Sequence, residues 1–431
     1  MKNIELANYI FQKLKEKGAD KAECVFSVQR VDELDAEHKK ISMLRTSNSS
    51  KLGIKALANG KKGVINLNQL DMESVDKAID DLHGLFSSAN PDDCEDIAPL
   101  LENKSFEKGP SKPDLDMCHE RLDEFVGLCR EEYPQVLFER CSVSFRGEEK
   151  LYVNTNGAQL ESKRGCYIYT AMFTAKRGQT VTSFNYFGNA SESVNQKIID
   201  SPMAKTLIDQ SVMLLDAKSL DTSFTGTVLL APQAVEDFLS FYAQSFLSDM
   251  PMMQKTTPLF DKLGEKIAGE KLVWSCQPKH PGLAAGYDIT GDGYQAEDMT
   301  VIENGVLKNF MLSRYGAKKS GKDRSPNTGG ANIVQPGEQA FGDMIKDIKE
   351  GVLLNRFSGG NPAPNGDFSG VIKNSFLIKN GKLSHGISEA MINGNLLEMF
   401  NNISGISKET MNFGDGILPY IACEGLLVSG K

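Results

Sequence analysis

Positive charge is not in excess in this chain. Its 431 residues hold 48 Lys and Arg against 57 Asp and Glu, a formal charge of −9. A protein that grips DNA or RNA through phosphate contacts needs a basic patch, so direct nucleic-acid binding is not expected. Long apolar runs are missing as well. No run of about 18 uncharged apolar residues occurs, so no membrane-spanning helix is expected. The stretch Met1–Phe11 has an acid inside its apolar part and no small-residue cleavage site, and no signal peptide is expected there. The 8 cysteines form no Cys-x-x-Cys pair and no close-spaced framework. Cys118 and Cys129 are 11 apart on an expected helix, which puts both on one face, where small core residues sit. Together these absences predict reduced thiols and a cytoplasmic protein.

What is present is an ordinary globular composition, 40% hydrophobic and 24% charged, which excludes disordered, collagen-like and disulfide-scaffold classes. At about 150 residues per domain, the length suggests two or three domains. Glycine is unevenly shared: 12 of 39 lie in residues 1–224 and 27 in the shorter remainder. Glycine permits positive-φ turns and close backbone approach, so the second half should be turn-rich and largely β. The shift places a boundary near Ser223–Gly226 and predicts domains 1–224 and 225–431, the first interrupted by an exposed connection at about 88–114.

Apolar spacing predicts helices over 3–17, 71–87, 115–132 and about 194–215, and Pro232 opens another through Leu247. Strands are predicted from Cys24, over 136–145, 167–173, 181–187 and 226–231. Hairpins are predicted at Asn59-Gly60, Asn156-Gly157, Asn304-Gly305 and Asn380-Gly381, because Asn-Gly suits a type I′ turn. Helices with antiparallel hairpins in blocks predict an α+β fold, with a Gly-rich, predominantly β second domain. The polar Gly/Pro/Asn-rich stretch Lys318–Gly337 reads as a long loop, functional or mobile.

Catalytic motifs fail one by one. Only 5 histidines exist (38, 83, 119, 280, 385). His119-Glu120 lacks the second His one turn later that a zinc-protease helix needs. His280 and His385 would need to converge with a carboxylate to hold a metal. Gly316-Ala-Lys-Lys-Ser-Gly321-Lys322 has phosphate-loop spacing after an expected strand, 309–313. Asp323 stands where Ser or Thr should follow, and no helix N-terminus comes next. Asp288-Ile-Thr-Gly-Asp292-Gly293 resembles a calcium loop, but Met299 occupies the position of its bidentate Glu. Gly366-Asp-Phe-Ser369-Gly370 has the wrong spacing for a nucleophile elbow.

The order of features in 226–430 resembles the TldD/PmbA family, often labelled modulators of DNA gyrase. The resemblance rests on Val228-Leu-Leu-Ala-Pro232 before a helix, Phe260-Asp-Lys-Leu-Gly264, Asp288…Asp292-Gly293 and Asp298–Leu307. It continues through Leu312–Gly321, Gly366-Asp-Phe-Ser369, Glu389–Leu396 and Glu424–Gly430. The first half fits more loosely. In the TldD branch the helix carries His-Glu-x-x-x-His, and a Cys near the C-terminus completes a metal site. The matching positions here are Ser240, Phe241 and Ser245, and the Cys position is Phe413. Cys423, ten residues later, falls in an expected closing strand.

The resemblance therefore implies the PmbA/TldE-like branch, with no catalytic residue and no metal in this chain. It implies a TldD-like partner subunit bearing zinc or iron, and extended, unfolded peptides as substrate. A homodimer is a further assembly to consider. Asp292, Gly293, Gly329 and Gly330 are the candidate substrate-binding positions, with Lys318–Gly337 as a channel wall. The alternative is a stand-alone peptide- or protein-binding module without hydrolase activity.

Overall fold

The computed structural model describes residues 3–37 and 40–430. The fold is α+β, as expected from the blocks of helix and hairpin. Helix α1 (Asn3–Glu16) buries Leu6, Ala7, Ile10 and Leu14 and ends before Gly18, whose φ of 89° reverses the chain. Strands β1 (Lys21–Glu37), β2 (Lys40–Ala58) and β3 (Lys61–Leu67) follow as a meander. The turn between β2 and β3 has Asn59 and Gly60 at φ of 51° and 75°, the double positive φ of a type I′ turn. Helix α2 (Met72–Ser88) is capped by the Asp71 carboxylate, which accepts from the Ser74 N–H.

The connection 88–114 contains a short strand, β4 (Lys104–Lys108), and leads to α3 (Leu115–Glu132), capped by Asp114. Cys118 and Cys129 are both buried on α3. Strands β5 (Val136–Asn154), β6 (Gln159–Arg177), β7 (Thr180–Val181) and β8 (Asn185–Ser191) complete the first sheet. Its order is β3-β2-β1-β5-β6, and β4 and β8 share the far edge of β6. At Asn156-Gly157 the hairpin is present, but its turn is built by the Asn154 side chain, which accepts from the N–H groups of Asn156 and Ala158.

The expected helix over 194–215 is shorter. Pro202 and a left-handed Met203 (φ 62°) precede α4, which spans Ala204–Met213. The second sheet uses strands between Lys218 and Ser429. Its second strand, Phe224–Leu230, runs parallel to 350–354 and antiparallel to the closing strand Ile417–Ser429. Helix α5 (Pro232–Tyr242) starts with Pro at its first turn, then rewinds into a π turn over Ala243–Leu247. Residues 309–313 form no strand beyond a bridge at Met311. The stretch 318–337 is no open loop either. It begins in the helix Arg314–Ser320 and contains the strand Asn332–Val334, with Ser325 and Asn327 buried.

One apolar core runs without a break from Phe125, Phe138, Phe173 and Phe187 under the first sheet to Val228, Leu229, Phe238 and Leu239 in the second half. Polar contacts reinforce that junction. Arg164 pairs with the buried Asp288 at 3.0 Å, and Arg314 bonds Asp96. Burying this much apolar surface between the two sheets holds their relative placement, which shapes the cleft described next.

Candidate functional site

A cleft of about 640 Å³ lies between strand β8 with its neighbour β6 and the first turns of α5. The helix contributes Gln233, Glu236 and Asp237, three and four residues apart and therefore on one face. The opposite face of α5 buries Val235, Phe238, Leu239 and Tyr242 in the core. Phe413 and Asp415 close one end, and Phe413 is tied to the first sheet where its carbonyl accepts from the Ala190 N–H at 2.8 Å.

The carboxylates here are held unusually. Glu236 Oε1 accepts from Asn332 Nδ2 at 2.8 Å, and Asn332 Oδ1 accepts from the indole N–H of the buried Trp274 at 2.9 Å. Burial nevertheless pushes the Glu236 carboxyl up to about 7, with the Asn332 bond opposing it and the nearby Asp415 and Asp237 charges adding to it. Burial raises Asp237 to about 6 against the opposing Arg356 charge, and burial raises Asp415 as well. Sequence reasoning missed all three. The signal for two of them was the Glu236-Asp237 pair set inside an otherwise apolar helix, Ala234–Leu239.

The positions matched to the family metal motif do not assemble a metal site. Ser240 Oγ reaches back toward Glu236 at 3.4 Å, a long contact. Phe241 packs edge-on against Phe238 and Phe357. Phe241 and Ser245 line a separate depression with Met250 and Pro362, whereas Phe413 lines the cleft. Cys423 is fully buried in the closing strand, and burial pushes its thiol up. His280 accepts from the Gly282 N–H through Nδ1, and His385 sits on the strand Lys382–Ser388 beside Ser384. His119 and Glu120 are exposed, and His38 lies outside the described residues. Among the described residues, no group of three or more His, Cys, Asp or Glu could hold a metal ion.

The structure places the four candidate substrate positions in an ion pair and in turns away from this cleft. Burial pushes the Asp292 carboxyl up, but the Arg324 guanidinium and the Thr290 hydroxyl outweigh it and hold the group below its ordinary value. Arg324 donates to it at 2.9 and 3.0 Å while lying over the Tyr294 ring, 3.7 Å from its centre. Gly293 has φ 84°, and a Cβ there would stand 2.2 Å from the Tyr152 ring. The Gly329 carbonyl accepts from the Tyr287 hydroxyl at 2.7 Å, and Gly330 turns the chain at φ 78° toward the strand that holds Asn332. None of the four lines the cleft between α5 and β8.

No helix among the described residues is long and apolar enough to cross a membrane. Residues 223–430 match the family model described as the PmbA/TldA metallopeptidase C-terminal domain. The chain is 21% identical to the metalloprotease PmbA of Escherichia coli O157:H7, across 94% of this chain and 93% of that one. Among solved structures it shares its fold with TldE from Thermococcus kodakarensis (TM-score 0.82, 22% identity, 99% and 100% of the two chains). The same holds for a protein described as a modulator of DNA gyrase from Bacteroides thetaiotaomicron (TM-score 0.84, 21% identity, 100% and 99%). With its metallopeptidase-type C-terminal half and a full-length relative of this kind, the chain belongs to the TldD/PmbA family.

Proposed function

We propose that this chain is a PmbA/TldE-like, non-catalytic subunit that guides extended, unfolded peptides within a TldD-type metallopeptidase assembly. One observation carries the reading: Ser240, Phe241, Ser245 and Phe413 stand where the family's metal site would need two imidazoles, a carboxylate and a thiolate. Two hydroxyls and two phenyl rings offer no ligand set for zinc or iron and no base for a metal-bound water. The residues present do not fit the metal, so no hydrolytic step is assigned to this chain. The helix still has the π turn over Ala243–Leu247, directly after α5. A π turn hydrogen-bonds residues five apart, the spacing that separates Ser240 from Ser245.

Peptide guidance is supported by the edge of the first sheet. Among the described residues strand β8 pairs with β6 on one side only and its residues line the cleft, with the outward N–H of Ala190 given to the Phe413 carbonyl and that of Tyr186 to Asn185 Oδ1. An extended peptide can add to such an edge through main-chain hydrogen bonds, whatever its sequence. In this reading the metal, zinc or iron, belongs to a TldD-like partner, the assembly works in the cytoplasm, and the chain divides functionally at about 224/225. The formal charge of −9 argues against any direct hold on DNA.

The test is reconstitution. Pure chain should contain no stoichiometric zinc or iron and leave an unfolded peptide intact. Addition of a His-Glu-x-x-x-His subunit from the same genome should give a complex that cleaves it faster than that subunit alone. Stoichiometric metal together with hydrolysis by this chain alone would overturn the proposal. Failure to co-purify with any such subunit would favour a stand-alone binding module.

A further inference from the structure

The connection after α2 carries four acids in six residues, Pro91-Asp92-Asp93-Cys94-Glu95-Asp96, and cations meet them from two sides. The first sheet supplies one lysine from each strand of its meander. Lys21 on β1 pairs with Asp96 at 2.7 Å, Lys55 on β2 reaches Glu95 at 3.2 Å, and Lys62 on β3 pairs with Glu95 as well. The helix Arg314–Ser320 of the second half supplies the other side. Its Gly316, Ala317 and Ser320 are buried, and Arg314, Tyr315, Lys318 and Lys319 share another face. Arg314 pairs with Asp96 at 2.5 Å and Lys319 with Asp92 at 2.9 Å. The Tyr315 hydroxyl donates to Asp92 at 2.9 Å, and Lys318 donates to the Asp93 carbonyl. Lys62 and Lys319 both approach the Tyr315 ring, 5.4 and 5.6 Å from its centre.

This contact differs in kind from the rest of the junction. The two halves share a continuous apolar core, yet none of residues 91–96 and none of Arg314, Tyr315, Lys318 and Lys319 belongs to an apolar cluster. The acids sit instead at the α1/α2 end of the first sheet, whose own core, with Leu6, Ile10, Phe26, Val75 and Leu82, is separate from the shared one. Both ends of the acidic segment are anchored. The Ala89 N–H closes α2 on the Leu85 carbonyl, and Ile97 and Ala98 are buried, Ala98 in a small cluster with Ile289 of the second half. Between those anchors the segment is held by charge and hydrogen bonds. Segments with few buried apolar contacts open at the lowest free energy. Asp92, Asp96, Arg314 and Lys319 keep between 23% and 37% of their side-chain surface in solvent, so dissolved salt reaches them.

We propose that Asp92–Asp96 is an ionic latch, closed at low ionic strength between the β1–β3 meander and the helix Arg314–Ser320, and released as salt rises while the shared apolar core stays closed. Ionic strength thereby sets how firmly the α1/α2 end of the first sheet is held to the second half. The latch needs neither a partner subunit nor a bound peptide, so it stands apart from the assembly proposed above.

The experiment is amide hydrogen exchange of the full chain, read by mass spectrometry in about 0.1 M and about 1 M NaCl, between which the screening length falls from about 10 Å to about 3 Å. Four amides report the state of the latch. Asp92 donates to the Gly60 carbonyl, Cys94 to Asp92 Oδ1, Glu95 to the Asp92 carbonyl and Ile97 to Asp96 Oδ1. Exchange over 92–97 should quicken about tenfold at the higher salt, the scale of a few partly exposed ion pairs. Exchange in α3, which packs in the apolar core, should not change. In the double variant Arg314→Gln/Lys319→Gln, exchange over 92–97 should already be fast at the lower salt and respond little to more. Equal exchange over 92–97 at the two salt concentrations overturns the proposal. So does a salt effect of the same size in α3, which would mark general loosening, and so does a double variant as protected as the wild type at the lower salt. If that variant fails to fold, the wild-type comparison of 92–97 with α3 decides the matter.

Discussion

Glu236→Gln removes a buried ionisable group from α5 while keeping its shape, and the structure sets what that should do to stability. In the folded chain burial raises this carboxyl to about 7 from an ordinary value of 4.5, even with the Asn332 amide bonded to it. A carboxyl raised on folding contributes stability that is complete below its unfolded value and is lost as pH rises through its folded value. Every tenfold change in proton affinity is worth about 1.4 kcal/mol, so the full effect approaches about 3 kcal/mol well above neutrality. The Gln side chain can still accept from Asn332 and does not ionise. At pH 4 the variant and the wild type should therefore be close in stability. By pH 8 the variant should be the more stable by about 2–3 kcal/mol, the gap opening between pH 5 and 7. Urea unfolding of both proteins at pH 4, 6 and 8 measures this. Stability profiles that run parallel across that range would refute the assignment of a raised carboxyl at Glu236.

Gly293→Ala should destabilise by at least about 2 kcal/mol, since its Cβ would meet the Tyr152 ring at 2.2 Å and the φ of 84° disfavours any side chain; the urea midpoint reads it. Asp292→Ala leaves the largely buried Arg324 guanidinium without its acid, at a cost of about 3–5 kcal/mol. Asp292→Asn should cost less, because it keeps the acceptor for the Arg314 N–H. Of the 8 cysteines Cys94 alone is not buried, so a thiol reagent should modify one thiol quickly in the native chain and all eight in denaturant. Mass spectrometry of the fast product should place the label on Cys94.

Several elements were legible because their signals are local. Helices α2 and α3 were legible from apolar residues at helix spacing, and the structure adds the carboxylate caps Asp71 and Asp114 at their starts. Three of the Asn-Gly pairs became tight turns with both residues at positive φ. Misreadings came where context overrode local pattern. Strand β5 continues to Asn154, nine residues past the apolar stretch that signalled it. Its polar end, Glu148-Glu149-Lys150, is held by backbone pairing with β1 and β6 on either side. The helix expected over 194–215 begins only at Ala204, because Pro202 and the left-handed Met203 interrupt it. The polar stretch 318–337 looked like a loop by composition. In the fold its Ser325, Asn327 and Asn332 are spent on buried hydrogen bonds to distant backbone and side chains.

The candidate site divides along the same line. That this chain has no imidazole, carboxylate or thiolate at the motif positions is a matter of residue identity, and no folding can change it. The Asn-Gly turns, the helices with apolar spacing and the α+β class were likewise legible from residue order alone. Which acids are satisfied could not be read that way. Glu236 finds its donor 96 residues away at Asn332, whereas Asp292, read as a binding position, is consumed by Arg324, 32 residues on. Asp237 and Asp415 are left facing an apolar cleft because two sheets meet there. Desolvation and pairing depend on what packs against a group in three dimensions, and the order of residues along the chain does not specify that.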